Sequence, residues 1–265
     1  VLDQSKVPME TANVRILPTR YNISPSVNGD VVTFTMTEPG QCSVEIGANG
    51  YKNGLMIFAN PMETNMPDPT SDNSYIVLEH ATASSISSIP ANKSGLYFKT
   101  GVHDIGVYEV PANIKNIYFE GGAWVYGAIL VSGTRNNTDV KIFGRGTLSS
   151  GRLKYREAYC IGTPQDGSTA VDRITVEGIT VADPKYFAIR LVGSNNTVAW
   201  TTVIGGWVSN CDGIAVFANS TVKKSFCWAN DDNIKVYRDN ITVEDMVLWQ
   251  LNNGGAIQMG WHGGQ

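Results

Sequence analysis

The sequence predicts an all-β protein: a right-handed parallel β-helix, a solenoid, preceded by remnant strands of an antiparallel β-sandwich. Three observations predict it. With 27 glycines among 265 residues and only 17% charged residues, the composition is that of a turn-rich, strand-rich chain. Two series of apolar anchors recur with a common period. The rhythm of short strands also changes between the first 80 residues and the rest.

Residues 1–80 read as a partial N-terminal β-sandwich region and linker. Asp30 to Met36 alternates in polarity as a half-buried strand should. Gln41 to Ile46 does the same after a Pro39-Gly40 turn. Leu55-Met56-Ile57-Phe58 is a third strand, expected to be buried on both sides. Pro61 to Ser74, rich in Pro, Asn, Asp and Thr, carries the signals of a loop or linker.

Residues 81–265 read as a β-helix domain. Ile117 to Glu120, Trp124 to Ile129 and Val140 to Gly144 are its early strands. Ile174, Val198, Val222 and Val243 then open strands at intervals of 24, 24 and 21 residues. A second series, Ile189, Ile214, Ile234 and Ile257, runs at 25, 20 and 23. Two interleaved series with one period mean that every coil repeats the same strands in the same order. Sandwich strands have no reason to recur as matched pairs over four coils.

Neighbouring parallel strands lie about 4.8 Å apart, so the second series acts as a ruler. Asp212 and Asp232 each precede their isoleucine by two residues and so fall in one column, with Phe187 before them and Gly255 after. Asp231 is one residue out of step and must reach the patch from a bend. The next outward column is Arg190, Ala215, Lys235, Gln258, with Tyr237 on the same face and Trp261 just beyond. Asp-Gly and Asn-Asp are ordinary turn dipeptides, but like charges in register on adjacent strands cost stability. A purely structural solenoid gains nothing from them. Crowded carboxylates repel, so at least one should hold its proton to higher pH than a free aspartate. Such a site can pair an acid with a base. The flanking cationic, amide and aromatic groups suit a sugar chain.

The net charge of −4 and pI near 5.4 argue against a nucleic-acid or anionic-membrane partner. No apolar run is long enough to span a bilayer. Six Asn-x-Ser/Thr triplets, at Asn22, Asn92, Asn136, Asn195, Asn219 and Asn240, favour a secreted glycoprotein. Cys42, Cys160, Cys211 and Cys227 have no metal-like spacing and read as small buried apolar residues, with a Cys211–Cys227 disulfide left open. His80 and His103 read as surface or structural residues, and His262 stays open as a candidate. No nucleophilic-serine or nucleotide-binding fingerprint occurs.

The order Asp212-Gly213, Asp231-Asp232, Ile234-Lys235-Val236-Tyr237 and Ile257-Gln258-Met259-Gly260-Trp261 resembles glycoside hydrolase family 49, the dextranases and isopullulanases. Asn53 to Pro61 is similar to that family's passage from sandwich to helix. Gly95 to Phe98 and Gly121 to Ala128 are similar to its first coils. Cys211 stands where a threonine is usual, and the sequence departs from the family after Trp261. The resemblance implies an inverting endo-hydrolase of α-glucans, with Asp231 as general acid and Asp212 and Asp232 holding the attacking water. Lys235, Tyr237, Gln258 and Trp261 are then substrate-binding residues. It implies no metal or organic cofactor, a polysaccharide partner and a secreted monomer. An uncapped last coil at Gln265 further suggests a piece of a longer β-helix.

Three other readings share parts of this pattern. A polygalacturonase-like hydrolase has the helix and three aspartates, but would carry Gly-His-Gly and Arg-Ile-Lys motifs that are missing here. A Ca²⁺-dependent polysaccharide lyase would use clustered carboxylates as metal ligands. A non-catalytic glycan-binding β-helix would bind sugar without cleaving it.

Overall fold

The computed structural model describes residues 13–132, 137–163 and 170–260. The chain divides into two compact units, Val1–Met62 and Glu63–Gln265. In the first unit, Gly40–Ile46 is the middle strand of an antiparallel sheet between Val14–Leu17 and Leu55–Ala59. Val14, Ile16, Cys42 and Val44 form its small core. Two expectations change places here. Gly40–Ile46 is buried on both faces almost throughout, because it has a neighbour on each edge. Leu55–Ala59, expected to be buried on both sides, is an edge strand with Leu55 58% exposed. The expected strand from Asp30 to Met36 shrinks to Val31–Thr33, paired in a hairpin with Ser26–Asn28.

The second unit is a parallel β-solenoid whose strands stack into an 8-stranded and a 12-stranded sheet. Tyr75–Leu78, within residues 1–80 that were expected to precede the helix, is already its first strand, paired parallel with Gly95–Phe98. Gly101–Glu109, which no sequence signal marked as a strand, pairs parallel with Ala123–Leu130.

Register explains the apolar anchors. Ile76, Leu96, Ile117, Ile142, Val176, Val198, Val222 and Val243 stack in one ladder. Ile174 was the expected member where Val176 stands. Both are fully buried, and residues two apart on a strand face the same way, so the anchor was misplaced by one pleat. The second series holds as read, with Ile189, Ile214, Ile234 and Ile257 in register, and Ile161 extends it one coil further back. Each ladder buries branched apolar side chains against copies of themselves, which favours one register over its neighbours.

The strand Ala123–Leu130 is where the large sheet divides. Its first half pairs with Thr147–Ser149 and its second with Ile161–Gly162. Gly127 sits at the division with φ +139°, and a side chain there would meet the Gly106 carbonyl. From that point each coil turns a corner between two strand columns, and these corners carry the site. The turns also account for several of the glycosylation-like asparagines: Asn195, Asn219 and Asn240 adopt left-handed φ values of 55–58°. Asparagine tolerates that region better than most residues. Asn136 lies outside the described residues. All four cysteines are buried and free. His80 is exposed, whereas His103 is buried, its Nδ1 accepting from the Ala81 N–H at 2.9 Å.

Candidate active site

The corner between Phe226–Ala229 and Ile234–Val236 is the four-residue run Asn230-Asp231-Asp232-Asn233. Buried Asn233 holds it closed. Its Oδ1 accepts from the Ala229 N–H at 3.1 Å, and its Nδ2 donates to Gln250 Oε1 at 2.8 Å. One coil earlier, Gly213 presses against this corner. It donates its N–H to the Asp232 carbonyl at 2.9 Å, and a Cβ on it would lie 2.3 Å from the Asn233 carbonyl oxygen. The Asp-Gly dipeptide is thus there for close approach of two coils.

This contact brings Asp212, Asp231 and Asp232 together. One carboxylate oxygen from each lies within 4.8 Å of the others, and all three residues are buried. Asp212 and Asp232 reach the cluster from equivalent column positions. Asp231 reaches it from the bend, where its N–H donates to the Cys211 carbonyl at 3.2 Å. Its Oδ1 accepts from the Asp232 N–H at 3.0 Å and its Oδ2 from Asn253 Nδ2 at 2.6 Å. Asp232 Oδ1 accepts from the Gly255 N–H at 2.7 Å.

Lys235 is the counter-charge. Its Nζ lies 2.6 Å from Asp212 Oδ2 and 2.9 Å from Asp232 Oδ2. Burial pulls the ammonium's pKa down, but the hydrogen bonds it donates to Asp212 and Asp232 more than offset that, so it lies above the ordinary lysine value. The Asp212 carboxyl is raised to about 6, first by burial. The Lys235 contact works against that rise, and the charges of Asp231 and Asp232 add to it. Crowding was the expected cause; desolvation is the larger one, because the site is recessed.

The carboxylates line a pocket of about 510 Å³. Lys235, Tyr237 and Gln258 line it with them, as do Arg190 and Phe187. Gln258 Oε1 has no hydrogen-bond partner there. Trp261 and His262 lie outside the described residues. The column Arg190, Ala215, Lys235, Gln258 is in register as read. It does not face solvent as expected, for Ala215 is fully buried and Lys235 is 7% exposed. The cause is an aromatic cluster of Tyr159, Phe187, Tyr186 and Tyr237 packed against Ala215 on that face.

Arg156, Tyr159, Tyr186, Asn210 and Asn253 also line the pocket, and sequence reasoning passed over them. Tyr159 was within reach. It stands two residues before Ile161, so carrying the isoleucine ruler one coil back places it in the aspartate column. Also within reach were Tyr186, three residues before Ile189 as Asp231 is before Ile234, and Asn210 and Asn253, each four residues before its isoleucine; Arg156 carries no such signal.

No family model matches the chain. Among curated proteins it is 27% identical to a dextranase of Arthrobacter sp. (strain CB-8), over 97% of this chain and 44% of that protein. It is 25% identical to an isopullulanase of Aspergillus niger, over 92% of this chain and 45% of that one. The chain therefore spans less than half the length of these relatives. The solved structure of Dex49A from Penicillium minioluteum superposes with a TM-score of 0.75 at 19% identity, covering 95% of this chain and 53% of that one. That likeness shows the fold. Along nearly all of its length, the chain is a homologue of dextranases and isopullulanase, as its resemblance to glycoside hydrolase family 49 implied.

Proposed function

We propose that the protein is a secreted glycoside hydrolase that cleaves an α-glucan by inversion at the Asp212–Asp231–Asp232 cluster. The observation that carries the reading is the placement of three carboxylates in the lining of one pocket, with one ammonium bridging Asp212 and Asp232. Homology to dextranases and isopullulanase supplies the substrate class. Hydrolysis with inversion needs a proton donor on one side of the glycosidic bond and a base-held water on the other.

The roles follow from the asymmetry. Lys235 favours the ionised forms of Asp212 and Asp232, which suits the pair that orients and deprotonates water. Asp231 is held instead by the Asp232 N–H and the Asn253 amide and takes the role of acid. Its 2.6 Å contact with the Asn253 amide suits either orientation of that group. With the amide turned over, its Oδ1 would accept the acid proton. Tyr237, Gln258 and Trp261 are assigned to substrate binding.

One oxygen of each carboxylate lies within 4.8 Å of the others, an upper limit on those oxygen separations and not a spacing between carboxyl centres. Carboxyl spacings of about 6.5–9.5 Å accompany inversion and about 5–5.5 Å retention. The stereochemistry therefore rests on the family resemblance and is settled by the anomer first released. The cluster also has the composition of a Ca²⁺ site, which is the lyase reading. Lys235 bridging two of the three carboxylates occupies the position a divalent cation would take, and this favours hydrolysis.

The test is release of reducing ends from dextran, pullulan, pustulan and polygalacturonate, with and without chelator, and with the first product's anomer read by NMR. Chelator-resistant release from an α-glucan is expected, with the inverted anomer first. Chelator-sensitive formation of an ultraviolet-absorbing unsaturated product would replace this reading with the lyase.

A further inference from the structure

On the other side of the same corner stands a group of indoles that the proposed chemistry does not use. Trp228 and Trp249 are in register on adjacent strands, with ring centroids 5.7 Å apart. Trp207 meets Trp228 edge-on at 4.8 Å and is 57% exposed. An exposed tryptophan is costly to leave in water, since aromatic rings carry a large apolar area. Here the exposed ring is also held in place. The Trp207 N–H donates to the Gly205 carbonyl at 2.9 Å, and its own carbonyl accepts from Asn230 Nδ2 at 3.2 Å. Gly205 has φ +85°, and a Cβ there would come 2.7 Å from Asp183 Oδ1 and 3.3 Å from Trp207 Nε1. The loop thus has to carry glycine to seat the indole.

The cluster is not built as a sealed core. Trp228 Nε1 and Asn230 Oδ1 are buried without hydrogen-bond partners. Such groups destabilise a fold unless something pairs them. One is a donor and the other an acceptor, and a hydroxyl can serve both. The position is also linked to the pocket through the chain. Asn230, which holds the Trp207 loop, is the chain neighbour of Asp231, and Asn210 at the end of that loop lines the pocket.

We propose that Trp207, Trp228 and Trp249 form a sugar-stacking platform that binds a neutral hexopyranose chain running on from the carboxylate pocket. Pyranose rings present flat C–H faces to aromatic rings and hydroxyls at their edges, which fits indole faces beside an unpaired donor and acceptor. The proposal rests on the α-glucan reading above for the identity of that chain.

Binding is tested without turnover. Asp231→Asn protein, which should leave the polymer intact, is run on native gels cast with dextran or pullulan. Retardation is expected. Adding Trp207→Ala should weaken the apparent affinity about tenfold, and Trp207→Tyr should restore most of it. The ring is more than half exposed, so thermal melting should scarcely change. Equal retardation with and without Trp207, or no retardation by either glucan, would overturn the platform. So would a Trp207-dependent dimer in sedimentation without glucan binding. Trp207-dependent retardation by a wild-type protein that releases no reducing ends would sink the hydrolase reading alone.

Discussion

The inner ladder from Ile76 to Val243 and the outer column through Asp212 and Asp232 are products of one regularity, with opposite energetic outcomes. Both stack side chains on successive rungs about 4.8 Å apart. In the ladder, stacking removes apolar surface from water and each rung supports the next. In the column it forces carboxylates together, and Lys235, the Asn253 amide and the backbone donors of Asp232 and Gly255 offset the cost. The same repetition therefore stabilises where the residues are alike and apolar, and crowds charge where they are alike and acidic. What differs is the column's chemistry.

That contrast can be broken at graded points. The largest effect should come from Gly213→Ala, which puts a methyl against the Asn233 carbonyl and the Cys227 sulfur. A loss of at least about 5 kcal/mol is expected, from overpacking against backbone that cannot yield. A soluble variant with an unchanged melting temperature would show that the two coils do not meet as described. Lys235→Met should cost about 3–5 kcal/mol by leaving buried carboxylates without their counter-charge. It should also move Asp212 further up. Denaturant unfolding at two pH values reads both effects, and a neutral result would mean the clamp contributes nothing.

Ile142→Ala, in the apolar ladder away from the corner, should cost about 2–5 kcal/mol and leave the pH dependence of activity alone. A shifted pH profile would mean that ladder and column are not separable. The smallest effect sharpens the comparison. Asp212 has its folded pKa raised to about 6 from 3.8, so its protonated form stabilises the fold fully below about pH 3.8. That stabilisation is lost as pH rises through about 6. Asp212→Asn should therefore raise stability at pH 7, by on the order of 1–3 kcal/mol, with no gain below pH 4. A gain that is equal at both pH values would contradict the burial argument. The same value places the acid limb of kcat/KM near pH 6 if Asp212 must be ionised.

Sequence periodicity carried the architecture because a solenoid repeats its strands, and a repeated valine or isoleucine marks a position without any model. The isoleucine ruler located Asp212, Asp232, Lys235 and Gln258 in register, since each is a fixed step from its anchor. It located Asp231 only by exclusion, as the residue that had to arrive from a bend. Asn210 and Asn253 stand four residues before Ile214 and Ile257, within reach of the same ruler, but nothing in the sequence marked that offset as lining a pocket, and Arg156 carried no signal at all. The burial of Lys235 was missed for a related reason. Phe187 from an earlier coil and Tyr237 pack beside its ammonium, with ring centroids 5.3 and 5.9 Å away, and alternation along one strand says nothing about what lies over it. At Leu55–Ala59, an apolar run suggested two-sided burial, but strand order in the sheet, which no single strand encodes, left it at an edge.

The central claim is that stacking puts Asp231 beside a charged pair in order to deliver a proton. It is tested most directly by comparing Asp231→Asn with the unmodified protein for reducing-end release from dextran and pullulan, and for melting temperature. A fall in turnover of about 10²–10⁴-fold with no loss of thermal stability is the predicted result. Turnover within a few-fold of the unmodified protein, from a variant that melts at the same temperature, would contradict it.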